Sequence, residues 1–151
     1  MTAIRPALPD DAAAIAACVR AAYAGYVALI GREPAPMGAD YAALIAAAAV
    51  WVADDAGEVV GVLVLHERGT ALLIENVAVR PDRQGRGLGR ALVRFAEERA
   101  RQAGLAEVTL YTNARMTENL RFYPALGYTE AGRSVQDGFD RVFFKKALRS
   151  S

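Results

Sequence analysis

The chain between residues 79 and 92 reads Val79-Arg80-Pro81-Asp82-Arg83-Gln84-Gly85-Arg86-Gly87-Leu88-Gly89-Arg90-Ala91-Leu92. It links an apolar run, Leu72 to Val79, to a helical pattern that starts at Gly87. Glycines let the backbone approach a ligand closely and adopt a positive φ. A helix start adds unpaired N–H groups and the positive end of the helix dipole, which together favour an anion such as phosphate. Guanidinium groups match phosphate geometry, and three stand here: Arg83, Arg86 and Arg90.

A second informative segment lies downstream and reads Glu118-Asn119-Leu120-Arg121-Phe122-Tyr123-Pro124-Ala125-Leu126-Gly127-Tyr128. Asn119 and Tyr123 are four residues apart, so on a helix they share one face. Phe122 and Leu126 lie on the same side, which predicts that this face points inward. Pro124 removes an N–H from the helix and should bend it.

Together the two segments resemble the GCN5-related N-acetyltransferases. Gln84-x-x-Gly87-x-Gly89 is similar to that family's [Arg/Gln]-x-x-Gly-x-[Gly/Ala] signature, and the second segment is similar to its Asn-x-x-x-x-Tyr-x-x-x-Gly-[Phe/Tyr] helix. The resemblance covers roughly residues 72–130. It implies that the loop binds the pyrophosphate of acetyl-coenzyme A and that the backbone of the preceding strand holds the pantetheine. The implied cofactor-binding residues are Val77, Ala78, Val79, Arg83, Gln84, Gly85, Arg86, Gly87, Leu88, Gly89, Arg90, Asn119 and Tyr123.

The resemblance also implies roles for the helix residues. Tyr123 would protonate the leaving thiolate, and the Asn119 amide would bond the pantetheine or nearby backbone. A core tyrosine with a satisfied hydroxyl is the alternative for Tyr123.

Glu75 is a candidate general base. The run Leu72 to Val79 is apolar on both alternating faces except at Glu75 and Asn76, and a buried carboxylate would have a raised pKa in the working range of a base. The alternative is that Glu75 pairs with an arginine or caps the end of the strand. Asn76 lies on the opposite face and is expected to bond locally. His66 ends an apolar strand and is a second base, a substrate contact or a structural residue.

The elements predicted from pattern follow the order β-α-α-β-β-β-α-β-α-β-β in one domain covering residues 1–151. The helix Gly87 to Ala103 is expected to bury Leu88, Leu92 and Phe95, with Glu97 and Arg101 paired outside. The strands on either side of this helix can be parallel through a right-handed crossover. The fold class is therefore α/β with a mixed sheet. The resemblance implies helices on both faces, a mostly antiparallel sheet and a splay between the parallel fourth and fifth strands.

Composition excludes several classes of protein. A net charge of +1 provides no field for nucleic acid. The lone cysteine, Cys18, excludes an intramolecular disulfide and is expected to be a packed core thiol. No secretory signal is visible, and the longest apolar run, Ala42 to Ala53, is shorter than the roughly 18 residues of a membrane span. The chain is therefore expected to be cytoplasmic. Its Ala- and Arg-rich composition suggests a GC-rich genome, and a bacterial source is expected.

The implied activity is acetyl transfer from acetyl-coenzyme A to a small-molecule or peptide amine, by direct attack in a ternary complex and without a metal. Two alternatives stay open: another acyl-coenzyme A as donor, and a coenzyme A-binding sensor without turnover. Relatives place the irregular segment after the first helix around the acceptor, which makes Tyr26, Arg32 and Tyr41 guesses for substrate contacts, with His66. A homodimer is also implied as an option.

Overall fold

The computed structural model describes residues Thr2–Leu148. The strands are β1 (Thr2–Pro6), β2 (Val50–Asp55), β3 (Glu58–Arg68), β4 (Ala71–Val79), β5 (Glu107–Asn113), β6 (Thr129–Gln136) and β7 (Phe139–Ala147). The helices are α1 (Ala12–Tyr23), α2 (Val27–Ile30), α3 (Tyr41–Ala46), α4 (Leu88–Gln102) and α5 (Thr117–Ala125). The predicted order is confirmed, with α2 as the short helical piece of the irregular segment.

The seven strands form one mixed sheet in the order β1-β2-β3-β4-β5-β7-β6. β4 and β5 are parallel, with α4 in the connection between them, which confirms the predicted crossover pair. Their register runs from Ala71 opposite Glu107 to Ile74 opposite Leu110, while β4 continues to Val79 and β5 to Asn113. The splay beyond this point stays a prediction.

The chain divides into two compact units, one of residues 1–65 and 76–94 and the other of residues 66–75 and 95–151. The boundaries fall inside β3, β4 and α4. The prediction of a single domain stays a prediction, and each unit is described by itself below.

The core of the first unit forms where α1 and α3 contribute their apolar faces. The predicted stripe of α1, Ile15, Cys18 and Val19, is buried there and is confirmed. Strand residues complete the same cluster: Val50, Val52, Val59, Val62, Val64 and Ala78. Gly61 is closely packed in this unit: a Cβ there would lie 3.2 Å from both the Ala53 Cβ and the Leu92 Cδ1, which is tighter than an ordinary contact.

The helical segment Pro9–Ile30 is 22 residues long and, by length and composition alone, apolar enough to cross a membrane. This segment lies outside Ala42 to Ala53, the run that was expected to be the longest apolar one. A helix that packs into a protein core passes the same test. The stripe Ile15, Cys18 and Val19 of α1 packs into the core of the first unit. The apolar composition of the segment is therefore only weak evidence for a membrane span.

In α4 the structure corrects two expectations. Leu92 is buried as predicted, but Leu88 and Phe95 are only half-buried, and the inward stripe continues through Val93, Ala96 and Ala100. Glu97 was expected outside in a pair with Arg101, and this was wrong. Glu97 is buried, while Arg101 lies 3.7 Å from the neighbouring Glu98.

Buried Glu97 is the centre of a polar network in the second unit. The Tyr128 hydroxyl donates to Glu97 Oε2 at 2.8 Å, and Lys146 Nζ donates to Glu97 Oε1 at 3.1 Å. Lys146 also donates to the Leu126 carbonyl at 2.9 Å. A carboxylate can be buried here because each of its oxygens has a donor. The network therefore ties α4 to the end of α5 and to β7.

An ion-pair cluster holds the start of the chain in the first unit. Arg5 donates to both Asp11 oxygens, at 2.8 and 3.1 Å, and to Asp54 Oδ2 at 3.0 Å. The Leu8 N–H donates to the same Asp11 carboxylate at 2.7 Å. The hydrogen bond from Arg5 holds the pKa of Asp11 below its usual range.

We expect Asp11→Asn to lower the free energy of unfolding at pH 7 by about 1–2 kcal/mol, because a charged acceptor of two donors is lost. The lowered pKa of Asp11 means that its contribution is complete above its unfolded value of about 3.9 and is lost as the pH falls through the folded pKa. Urea unfolding at pH 7 and at the lowest pH where the protein stays folded measures this. Exposed Asp10→Asn is the control, and an equal loss in Asp11→Asn at both pH values would contradict the assignment.

Candidate active site

The loop between β4 and α4 has an open, glycine-rich backbone. Gly85 has φ 78° and Gly87 has φ 82°, values that L side chains rarely adopt. A Cβ built on either residue meets no protein atom within 4 Å. The two glycines thus shape a turn whose outer side is unobstructed by the chain.

The start of α4 presents the donors that the sequence predicted. The Gly87 carbonyl accepts the first helical hydrogen bond, from the Ala91 N–H at 3.0 Å. The N–H groups of Leu88, Gly89 and Arg90 precede the first residue that can bond inside the helix. These N–H groups and the helix dipole make the position suitable for an anion.

Two of the loop side chains have structural partners. Gln84 Nε2 donates to the Val79 carbonyl at 3.0 Å, so the signature glutamine closes the loop on the strand that precedes it. Arg83 forms an ion pair with Asp55 at the end of β2. Arg86 and Arg90 are exposed and have no ion pair within residues 2–148. Of the three arginines, these two are available for an external anion.

The end of β4 is bonded to its own unit through main-chain groups. The Arg80 N–H donates to the Val60 carbonyl at 2.9 Å, and the Tyr23 hydroxyl lies 3.3 Å from the Val77 carbonyl. Ala78 between them is buried in the core. The carbonyls of Val77 and Val79 therefore already accept side-chain donors, which the sequence analysis did not anticipate.

Tyr123 is buried in α5, among aromatic rings of the second unit. Ring centroids lie 5.0 Å away for Phe122, 6.0 Å for Tyr128 and 5.9 Å for Phe144. Burial raises the pKa of Tyr123 well above its usual range, so the hydroxyl keeps its proton at any physiological pH. Within residues 2–148 the structure records no hydrogen bond of this hydroxyl, unlike that of Tyr128.

Asn119 lies one turn before Tyr123 and is anchored by its amide. Asn119 Nδ2 donates to Thr112 Oγ1 at 3.0 Å and lies 3.6 Å from Met116 Sδ. Pro124 lies in the last turn, and α5 ends one residue later. The N–H groups of Leu126 and Tyr128 bond to the Tyr123 carbonyl, so the helix end is closed without the missing donor.

Glu75 and Asn76 occupy the opposite situations from those expected. The Glu75 side chain is 36% exposed, and its partner is not an arginine: His66 Nε2 lies 3.2 Å from Glu75 Oε2. Asn76 is the buried residue, at 4% exposure. Strand alternation explains the outcome, because only one of two consecutive side chains can point into the core.

Asn76 bonds residues that are distant in sequence rather than local ones, which corrects the expectation. Its Oδ1 accepts the Tyr23 hydroxyl at 2.7 Å, and its Nδ2 donates to the Tyr41 hydroxyl at 3.3 Å. Tyr41 is buried and donates to the Pro36 carbonyl at 2.6 Å. Tyr41 is therefore built into the scaffold, whereas Arg32 is exposed and Tyr26 is half-buried beside the Tyr23 ring.

Tyr111 was not among the residues selected from the sequence. It is half-buried on β5, and its hydroxyl interacts electrostatically with Glu75. Arg141 lies over its ring, 4.4 Å from the centroid. Burial raises the pKa of Tyr111. The alternation of Thr109, Tyr111 and Asn113 with buried residues was the signal that could have placed it on the half-exposed face.

Residues 46–130 match the family model described as the Acetyltransferase (GNAT) domain. The chain belongs to this GNAT family. The match contains both segments that carried the resemblance, the loop after β4 and the helix α5.

Two curated relatives of this GNAT chain are N-acetyltransferases. The aminoalkylphosphonate N-acetyltransferase of Salmonella typhimurium (strain LT2) is 36% identical over 81 residues, which cover 50% of this chain and 53% of that protein. N-acetyltransferase family 8 member 3 of Rattus norvegicus is 30% identical over 88 residues, covering 54% of this chain and 39% of that protein. The matched part therefore spans about half or less of each relative.

Solved structures share the fold over nearly the whole chain. The PaiA N-acetyltransferase of Thermoplasma acidophilum, in complex with coenzyme A, has a TM-score of 0.82 at 16% identity and covers 98% of this chain and 99% of its own. YncA of Salmonella typhimurium, with its cofactor acetyl-CoA, has a TM-score of 0.74 at 22% identity, covering 100% and 96%. At these identities the likeness establishes the GNAT fold alone.

Cys18 of the GNAT chain is a core thiol, as the sequence predicted. It is 3% exposed, and burial raises its pKa to about 11. The thiolate is the nucleophilic form, and at pH 8 only about one Cys18 in a thousand would carry it.

We expect Cys18 in the folded protein to react with a thiol reagent such as DTNB far more slowly than the same thiol in urea, because both burial and the raised pKa oppose attack. Absorbance at pH 8 with and without denaturant measures the two rates. Rapid labelling of the folded chain would show that Cys18 is accessible and reopen an acyl-cysteine route.

Proposed function

We propose that this chain transfers the acetyl group of acetyl-coenzyme A to an amine by direct attack in a ternary complex. Acetyl-coenzyme A supplies the acetyl group as an activated thioester. The observation that carries the proposal is the unobstructed turn at Gly85 and Gly87, followed by the free N–H groups at the start of α4. Exposed Arg86 and Arg90 add charge for the pyrophosphate. The coenzyme-bound relatives support the choice of ligand.

Replacement of Gly87 tests the cofactor site. Gly87→Glu adds a negative side chain in the open turn, at a backbone φ of 82°, and is expected to abolish acetyl-coenzyme A binding measured by calorimetry. Gly104→Glu is the matched control, since Gly104 also has a positive φ, 73°, and open space around it, but lies just beyond the other end of α4. Equal affinities of the two variants would remove the loop from the binding site.

An amine acceptor needs a base, and Glu75 is the residue proposed for it. An alkylammonium with a pKa near 10.4 costs about 4–5 kcal/mol to deprotonate at pH 7. Glu75 is partly exposed and so accessible to an acceptor or to a bridging water. Its accessibility supports the role, although the burial first expected of it is absent.

Tyr123 is proposed as the acid that protonates the departing thiolate, and Asn119 as a residue that orients it from one helical turn before. Burial keeps the phenol protonated, and its hydroxyl has no hydrogen bond to lose within residues 2–148. The Asn119–Thr112 hydrogen bond holds this part of α5 on β5. Direct attack by the amine is favoured over an acyl-cysteine intermediate, because Cys18 is buried and its thiol stays protonated.

We expect Tyr123→Phe to lower kcat about 100-fold while acetyl-coenzyme A still binds, because only the proton donor is removed. Tyr128→Phe deletes the same atom from a neighbouring ring, where it bonds Glu97, and should lower Tm with little change in kcat. Thiol release across a panel of amines measures kcat, and calorimetry measures binding. Full activity of Tyr123→Phe would exclude it as the acid.

For the acceptor we propose a small-molecule or peptide amine. The relative named aminoalkylphosphonate N-acetyltransferase supports a small amine that carries an anionic group. The amine panel should therefore include aminoalkylphosphonates, amino acids and a peptide with a free N-terminus. Binding of acetyl-coenzyme A without turnover of any amine would favour a sensor, and turnover with another acyl-coenzyme A alone would change the donor.

A further inference from the structure

His66 has a buried ring nitrogen without a hydrogen bond. Its Nε2 lies 3.2 Å from Glu75 Oε2, yet the two atoms do not form a hydrogen bond, and Nε2 has no other partner among the described residues. The two atoms are thus close to each other without the geometry of a hydrogen bond. A buried polar atom left unpaired costs stability, and a catalytic role is one of the reasons for which proteins retain such an atom.

The groups around this pair belong to three strands of the second unit. Arg68 lies two residues after His66 on β3. Tyr111 on β5 interacts electrostatically with Glu75 and Arg68. It also interacts with Arg141 on β7 and with Asp137 in the turn before β7. The His66 side chain is 19% exposed and that of Glu75 is 36% exposed. Glu75 is therefore the more accessible member of the pair, and His66 is the more buried one.

This arrangement suits a proton that arrives at Glu75 and must leave it again. A carboxylate that has taken a proton from an ammonium must be deprotonated before the next turnover. Imidazole binds a proton more strongly than a carboxylate, since ordinary pKa values are about 6.5 and 4.3. A histidine whose only role was packing would gain by bonding Nε2, which it does not do here.

We propose that His66 Nε2 receives, through Glu75, the proton that the acceptor amine loses. The N–H bond of the ammonium breaks as an O–H bond forms on Glu75; that O–H bond then breaks as an N–H bond forms on Nε2. The products are a neutral amine, the restored carboxylate and an imidazolium, whose Nε2 proton returns to water through the partly exposed Glu75 carboxylate after the amine has reacted, which restores the neutral ring with its proton on Nδ1. The proposal rests on the role of Glu75 proposed above. His66 does not touch the acceptor amine and acts on it only through Glu75.

The pH profile of kcat/KM tests the transfer, with acetyl-coenzyme A and the best amine of the panel. His66→Gln retains polar volume but cannot titrate, and it should lower kcat/KM at pH 7 about tenfold. Its acid limb should also move to lower pH, because the active form then requires only a free carboxylate, a group that binds a proton less strongly than imidazole does. Exposed Glu67→Gln, on the same strand, should match the wild-type profile. An acid limb that stays in place in His66→Gln overturns the proposal, whatever the fall in rate.

NMR of the imidazole tests the same idea without turnover. His66 is the only histidine of the sequence, so the protein freed of any tag gives one set of ring nitrogen signals. The proposal requires the neutral ring to carry its proton on Nδ1, leaving Nε2 free to accept. A neutral ring protonated on Nε2 would overturn it. If no amine is acetylated, the proposed function fails, while these spectra still decide whether Nε2 can receive a proton.

Discussion

The buried amide of Asn76 is the constraint on which the functional strand depends. Asn76 satisfies both ends of its amide on tyrosines, Tyr23 from the end of α1 and Tyr41 from α3. Since neighbouring side chains of a strand point to opposite faces, this burial directs Glu75 to the half-exposed face beside His66. A slip of one residue would bury the carboxylate and expose the amide, at the cost of the two hydrogen bonds of the amide and of burying a charged group. The burial of Asn76 therefore decides which face of β4 carries Glu75.

The loop after β4 divides its side chains between holding its own shape and facing outward. Gln84 bonds the Val79 carbonyl and Arg83 pairs with Asp55, so both belong to the frame of the loop. Arg86 and Arg90 are exposed. The neighbouring residues Gly85 and Gly87 have positive φ angles, a conformation that only glycine adopts easily. A rigid frame with free donors loses little entropy when an anion binds. The side chain of the signature glutamine thus joins the loop to the last residue of β4.

Two sets of polar groups in the second unit are matched by partners from other elements. Glu97, Tyr128 and Lys146 form one such set, and Asn119 with Thr112 forms another. Asn119 lies one helical turn before Tyr123, and Tyr128, whose ring contacts that of Tyr123, lies five residues after it. These interactions bring α4, α5, β5 and β7 together around an aromatic cluster. The contrast with the unpaired Nε2 of His66 sets that atom apart.

The amino-acid sequence by itself determined the order of the elements, the glycine turn before α4 and the family. Periodicity and turn residues are local signals, and α1, α4 and the parallel pair β4–β5 follow from them. Only the tertiary structure decided that Glu97 is buried, that Asn76 rather than Glu75 points inward, and that Tyr41 is scaffold. Each of these depends on a partner more than 30 residues away, such as Lys146 at a separation of 49 or Tyr41 at 35. A local pattern contains no information on such partners, because burial of a polar group becomes favourable only when the distant donor or acceptor arrives.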